Sequence, residues 1–187
     1  MTMLCWVLTG FFASAAALLW TSYNRLMRLD LRCEQAMADI DVQLKQRHAL
    51  LPNLFETVRA FTSHERDAIE VVAKARTAAM VATTPQAQLL AETSLGEGIR
   101  QLITIAENYP ELKASQHFRE LRIEIGDTEN KLAAARRYLN ATVGEFNATR
   151  RQFPGNLLAA QFRLSPRAFY DIGVERVLLD DAPVLRM

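Results

Sequence analysis

Between Gln116 and Gln152, apolar or near-apolar residues stand at Phe118, Leu121, Ile125, Thr128, Leu132, Ala135, Leu139, Thr142, Phe146 and Thr149. The steps alternate three and four without a slip, and no proline interrupts them. Such a heptad seam predicts a long helix packed at a shallow angle against antiparallel partners. At about 1.5 Å per residue the helix would run for roughly 55 Å. A stripe of that length cannot be buried alone, so the rest of the chain must supply other helices. The predicted fold is therefore all-α: an antiparallel, coiled-coil-like four-helix bundle.

A second constraint lies at the other end. Met1 to Asn24 contains no charged side chain, and Met3 to Trp20 reads MLCWVLTGFFASAAALLW. That run is long enough to span a bilayer as a helix. A cleaved signal peptide fits poorly, because no Lys or Arg precedes a run that is itself long. Trp20 and Tyr23 are placed for the membrane interface, and Arg25, Arg28 and Arg32 follow on one side. The positive-inside rule then puts the N-terminus outside and the rest of the chain in the cytoplasm, as a single-pass membrane protein. No helix breaker separates Tyr23 from Leu51. The seam continues through Leu26, Leu29, Cys33, Ala36 or Met37, Ile40, Leu44, Arg47 and Leu51. The membrane helix is thus expected to continue rigidly into the first helix of the bundle.

Pro52 is expected to end or kink that helix. A second helix is read from Asn53 to Ala82, with Leu54, Val58, Phe61, Ala68 or Ile69, Val72, Ala75 and Ala79 inward. Thr83-Thr84-Pro85 supplies an N-cap and a proline at the first helical position of a third helix, to about Asn108. Its inward residues are read as Leu89, Thr93, Leu102, Ile103 and Ala106, with Gly96 and Gly98 weakening the middle. Ser115 caps the long fourth helix, and Phe153-Pro154-Gly155-Asn156 ends it. The division is a transmembrane helix (1–24), a bundle (25–153) and a membrane-proximal tail (154–187). Alternating helix directions return Phe153 toward the bilayer. Arg150, Arg151, Arg163 and Arg167 then form a collar with Arg25, Arg28 and Arg32 facing anionic headgroups. The segment holding Leu157, Leu158 and Phe162 either lies in the interface or covers the bundle's open end.

Half of the 187 residues are hydrophobic and 23% are charged, which excludes a disordered chain. A net charge of +1 gives no case for nucleic acid. The two cysteines, Cys5 and Cys33, make a disulfide framework or cysteine zinc site untenable. No catalytic motif is found. His48, His64 and His117 sit in no H-E-x-x-H frame, and Lys45, Phe61 and Ala114 stand where di-iron Glu-x-x-His pairs need Glu. Neither metal nor cofactor is expected. Cys33 lies on the seam, as a buried structural thiol does. Two polar groups stand out: Asp39, Asp41, Gln43, Arg47 and Asn53 near the end of the first helix, and Glu129, Asn130 and Arg136 on the fourth. Arg47 occupies a seam position, where charge is costly unless paired. A buried network of Arg47, Asn53, Glu129 and Asn130 that sets helix register is expected, in preference to a ligand site.

The runs YNRLMRL, DIDVQLKQRHALLPNLFETV, ENYPELKAS, ENKLAAARRYLN and FNATRRQFPGNLLA together resemble the LemA family, from Tyr23 to about Tyr170. The resemblance implies a bacterial protein with one N-terminal membrane helix and an α-helical bundle. It implies no enzymatic activity or cofactor. A related protein takes part in forming magnetosome membranes, so it implies envelope or membrane-organising roles. Some relatives carry a lipoprotein cysteine before the Tyr-Asn pair; Thr21 and Ser22 stand here instead. The expected function is a non-enzymatic membrane protein whose bundle self-assembles on the bilayer as a homo-oligomer. The alternatives are an adaptor presenting its bundle to another envelope protein, and a lipid or small-ligand binder using the bundle core.

Overall fold

The computed structural model describes residues 2–61 and 65–170. Among them are six helices and no strand: α1 (Thr2–Phe61), α2 (Arg66–Val81), α3 (Pro85–Ala106), α4 (Pro110–Ala114), α5 (Gln116–Arg151) and α6 (Gly155–Gln161). The all-α class expected from the seam is found. His64, Val177 to Leu179, Asp180, Asp181 and Pro183 lie outside the described residues, as does the second half of the tail.

α1 passes Tyr23 without interruption, so one helix carries both the charge-free stretch and the first seam. Its opening part is long and apolar enough to cross a membrane, and none of that window is buried. Further on, Leu26, Leu29, Cys33, Ala36, Ile40, Leu44, Arg47 and Leu51 are all buried. The seam of α5 behaves alike: Phe118, Leu121, Ile125, Thr128, Leu132, Leu139, Thr142 and Phe146 are buried, and Ala135 and Thr149 are half-buried.

One boundary and one buried face differ from the sequence reading. α1 does not stop at Pro52 but includes it and runs to Phe61. A proline inside a helix loses one hydrogen bond and crowds the preceding turn, at about 3 kcal/mol. Here Leu51, Leu54, Phe55 and Val58 straddle it and all enter one core, which they reach together only if the helix continues. Phe61, expected inward, is exposed. The third helix also turns differently. Thr93 is exposed, and the buried stripe is Glu92, Leu95, Ile99, Leu102 and Ala106. Thr84 caps α3 by accepting from the Ala87 N–H at 3.2 Å, with Pro85 in the first turn. The helix is continuous through Gly96 and Gly98.

Contacts divide the chain into two compact units, one of residues 1–40 and 133–187, the other of 41–132. In the second, the core takes Leu51, Leu54 and Val58 from α1, Ile69 and Val72 from α2, Leu95, Ile99 and Leu102 from α3, Leu112 from α4, and Phe118 and Ile125 from α5. In the first, Tyr23 of α1 meets Phe162 just past α6, ring centroids 4.8 Å apart. Gly155 packs where a Cβ would run into the Thr149 carbonyl and come within 3.6 Å of Leu26. α6 can therefore fold back against α5 only with glycine at its first position.

Ile125→Asp puts an unpaired charge into the core and should cost about 3 kcal/mol or more. Ile123→Asp, on the exposed side of the same helix, should stay within about 0.5 kcal/mol. Denaturant unfolding in detergent, followed by circular dichroism, measures both; equal costs would contradict this core.

Candidate functional site

The most constrained polar group lies in the unit of residues 41–132. Arg47 of α1 is 1% exposed and Glu92 of α3 is 1% exposed. The Arg47 Nη2 donates to both the Glu92 carboxylate and the Glu92 backbone carbonyl, the latter at 3.1 Å. Its Nη1 donates to Glu129 Oε1 of α5 at 2.8 Å. The His48 Nε2 lies 2.9 Å from the other Glu92 oxygen. Arg76 of α2 donates from Nε to the His48 carbonyl at 3.1 Å. Four helices thus contribute to one polar cluster.

Local sequence explains why these side chains meet. Arg47 takes its place in the seam between Leu44 and Leu51, so it points inward with them. Glu92 opens the α3 stripe at a three-residue step from Leu95 and so faces the same interior. Gly96 lies one turn beyond Glu92, and a Cβ there would sit 3.5 Å from Arg47 Nη1. That is ordinary contact distance. Gly98 is tighter: a Cβ would lie 3.2 Å from Val72 Cγ2 of α2. Of the two glycines read as weak points, Gly98 is a site of close approach.

Burial pushes the Glu92 carboxyl up, but the hydrogen bond from His48 and the charge of Arg47 outweigh it and hold Glu92 below its ordinary value of 4.5. A carboxylate held below its ordinary value beside a guanidinium is a poor base. Beside it lies a cleft of about 280 Å³, lined by Leu44, His48, Ala79, Met80, Gln88 and Glu92 among others. Among the described residues, no three His, Cys, Asp or Glu side chains come together as a metal site would need.

The network expected from sequence is half redrawn. Arg47 and Glu129 are joined, but Asn53 and Asn130 are exposed and outside the cluster. Each stands one position from an inward neighbour: Asn53 precedes the buried Leu54 and Asn130 follows the half-buried Glu129, so helical rotation carries both to the surface. Glu92 and His48 are the members that sequence reasoning missed. The unbroken steps from Glu92 through Leu95, Ile99, Leu102 and Ala106 are the signal that would have found Glu92.

The unit of residues 1–40 and 133–187 holds the other singled-out residues. Trp20 is 69% exposed, and Phe153, Leu157 and Phe162 are exposed around the α6 turn. Leu158 is half-buried. Arg28 donates to the Asn24 carbonyl, and Arg25 pairs with Glu145 at 3.2 Å. Arg32 and Arg151 are exposed, while Arg150 donates to the Leu164 carbonyl at 2.7 Å. Arg167, expected in a headgroup-facing collar, instead binds Asp30 at 2.6 Å and Glu34 at 3.0 Å. Two carboxylates within reach satisfy that guanidinium more fully than solvent-screened headgroups can. Cys33 is buried, and burial pushes its thiol up, as for an inert structural cysteine.

Arg47→Ala leaves Glu92 buried without its main cation and should cost about 3–5 kcal/mol. Because the Glu92 value is lowered on folding, its contribution is complete above about pH 4.5 and fades as pH falls through the depressed value. Glu92→Gln should therefore flatten the acid limb of the stability profile below pH 4.5. A parent and variant that lose stability in parallel there would show that Glu92 does not carry it.

Among known families, the family model of the LemA family matches residues 36–181, most of the chain. No functionally curated protein matches it.

Proposed function

The chain belongs to the LemA family, and from that premise we propose a non-enzymatic, single-pass membrane protein whose helical part self-assembles to organise or shape a bacterial envelope. The carrying observation is the continuity of α1 from a fully exposed apolar stretch into a buried seam. A helix that is apolar all round requires an apolar surrounding, which the bilayer supplies. With no joint at Tyr23, the tilt of the spanning part is passed on to the helix that follows.

The end of α5 and α6 supports the same reading. Phe162 packs on Tyr23, and Phe153 and Leu157 point outward close by. In this reading Trp20, Tyr23, Phe153, Leu157 and Phe162 sit at one level in the interface, where amphipathic and aromatic side chains are favoured. The exposed arginines, Arg28, Arg32 and Arg151, lie beside them toward anionic headgroups of the cytoplasmic leaflet. The Arg47 cluster holds helices together and performs no reaction. An adaptor role is the second reading, favoured by exposed Val71, Met80 and Val81 on α2 and Leu90 on α3.

Imaging the full-length protein in liposomes at high density tests the first reading. Ordered patches or deformed vesicles are expected. A monodisperse monomer on vesicles of unchanged shape would refute it, and crosslinking in cells to a different protein alone would favour the adaptor. A fluorophore on Leu157→Cys should be quenched by nitroxide lipids labelled near the headgroup. If quenchers at every depth leave it unaffected, α6 does not lie in the interface.

A further inference from the structure

Beyond α6 the chain turns at Arg163, whose φ of 52 places it in the left-handed region. Phe162 N–H bonds to Leu158 O at 2.9 Å and Leu164 N–H to Ala159 O at 3.0 Å. This helix stop usually has glycine at the left-handed position, so an arginine there holds about 1 kcal/mol of strain. Residues 164–170 then run along α5.

Two asparagines of α5 hold this strap by its backbone. Asn147 donates from Nδ2 to the Arg167 carbonyl at 2.9 Å and accepts the Arg167 N–H on Oδ1 at 3.1 Å. Asn140 does the same for Tyr170, at 2.7 and 2.8 Å. Seven residues of helix advance about 10.5 Å, and three residues of extended chain about 10 Å. The two rungs therefore match in spacing. Each amide pairs with one residue's N–H and C=O, as a neighbouring strand would.

Side chains add selectivity to this backbone reading. The Arg167 guanidinium takes Asp30 and Glu34 of α1 and lies over the Phe146 ring at 6.0 Å. Phe169 rests on Gly144, 3.8 Å from where a Cβ would be. Arg136 covers the Tyr170 ring at 5.3 Å. Yet the strap is shallow: Ser165, Pro166, Ala168 and Phe169 are exposed. It is held by directional polar contacts rather than by burial, so it can lift without opening the core.

We propose that the α1–α5 face bearing Asn140 and Asn147 is a peptide-reading groove, and that it takes the Leu164–Tyr170 segment of a second copy of this chain in exchange for its own. The occupant is identified by its fit: the groove already reads this segment's backbone, its arginine and its aromatic pair. Every contact made within one chain is available unchanged between two, which makes exchange a low-cost route to association. A short hinge under strain at Arg163 favours it. Pro166 keeps Ser165 extended, so little chain entropy is lost when the strap rebinds. This inference rests on the self-assembly reading and supplies its means.

The test uses the full-length chain in membranes, with Cys5→Ser and Cys33→Ala removing the natural thiols. Gly144→Cys is placed in one tagged copy and Phe169→Cys in a second copy with a different tag. The two are co-produced and treated with a short bifunctional thiol crosslinker. A product carrying both tags is expected, falling about tenfold or more when the groove copy also carries Asn140→Ala and Asn147→Ala. A single chain bearing both cysteines serves as control, and its internal crosslink reports a folded groove. If that control crosslinks and the mixed copies do not, exchange is refuted. Particle mass then separates the two ideas: oligomers without the mixed product leave self-assembly standing, and monomers alone remove both.

Discussion

One helix carries two kinds of surface. α1 is unbroken from Thr2 to Phe61. Its first part exposes apolar side chains such as Trp6, Phe11, Phe12 and Trp20, while from Leu26 onward a heptad-spaced apolar stripe is buried. A cylinder that is apolar all round needs hydrocarbon about it, whereas a striped one needs neighbouring helices. The change from one to the other falls within a single hydrogen-bonded rod. No glycine-rich or proline-rich joint uncouples them, so whatever fixes one segment's direction also fixes the next. The heptad seam of α5 and the return of α6 to Tyr23 are answers to this constraint.

Packing by seams has a weakness that the polar cluster corrects. A stripe of leucines, alanines and isoleucines at heptad spacing fits its partner nearly as well after a slip of one heptad. Arg47 and Glu92 do not share that tolerance. Any slip would leave a guanidinium or carboxylate buried without its partner, which costs several kcal/mol. The cluster therefore contributes more by penalising wrong alignments than by strengthening the right one.

How much of this was legible follows from periodicity. The seams of α1 and α5 are long, and every residue assigned to them is buried or half-buried. Arg47 stood out because a charge interrupted an otherwise apolar series. Where the signal was short it failed. Pro52 looked like an end because local chemistry opposes it, and only the shared core of Leu51, Leu54 and Val58 outweighs that. Thr93 fits an inward pattern better than Glu92 does, because a carboxylate is seldom a core residue. Asn140 and Asn147 gave no signal, since side chains that bind a distant backbone leave no pattern in their own neighbourhood.

Arg167 shows how far charge counting reaches. Read in sequence, it joins Arg150, Arg151 and Arg163 as one more cation near a membrane. In the folded chain its guanidinium is neutralised by Asp30 and Glu34, and Arg25 is paired with Glu145. Those carboxylates lie on helices that heptad spacing had already brought side by side, so the fold decides which cations remain for an external anion. A strap fastened by such pairs and by two asparagine amides differs in kind from one fastened by apolar burial. Water can replace its contacts one at a time, as the proposed exchange requires. Its directional bonds nonetheless require the same residues, in the same order, from whatever chain occupies the groove.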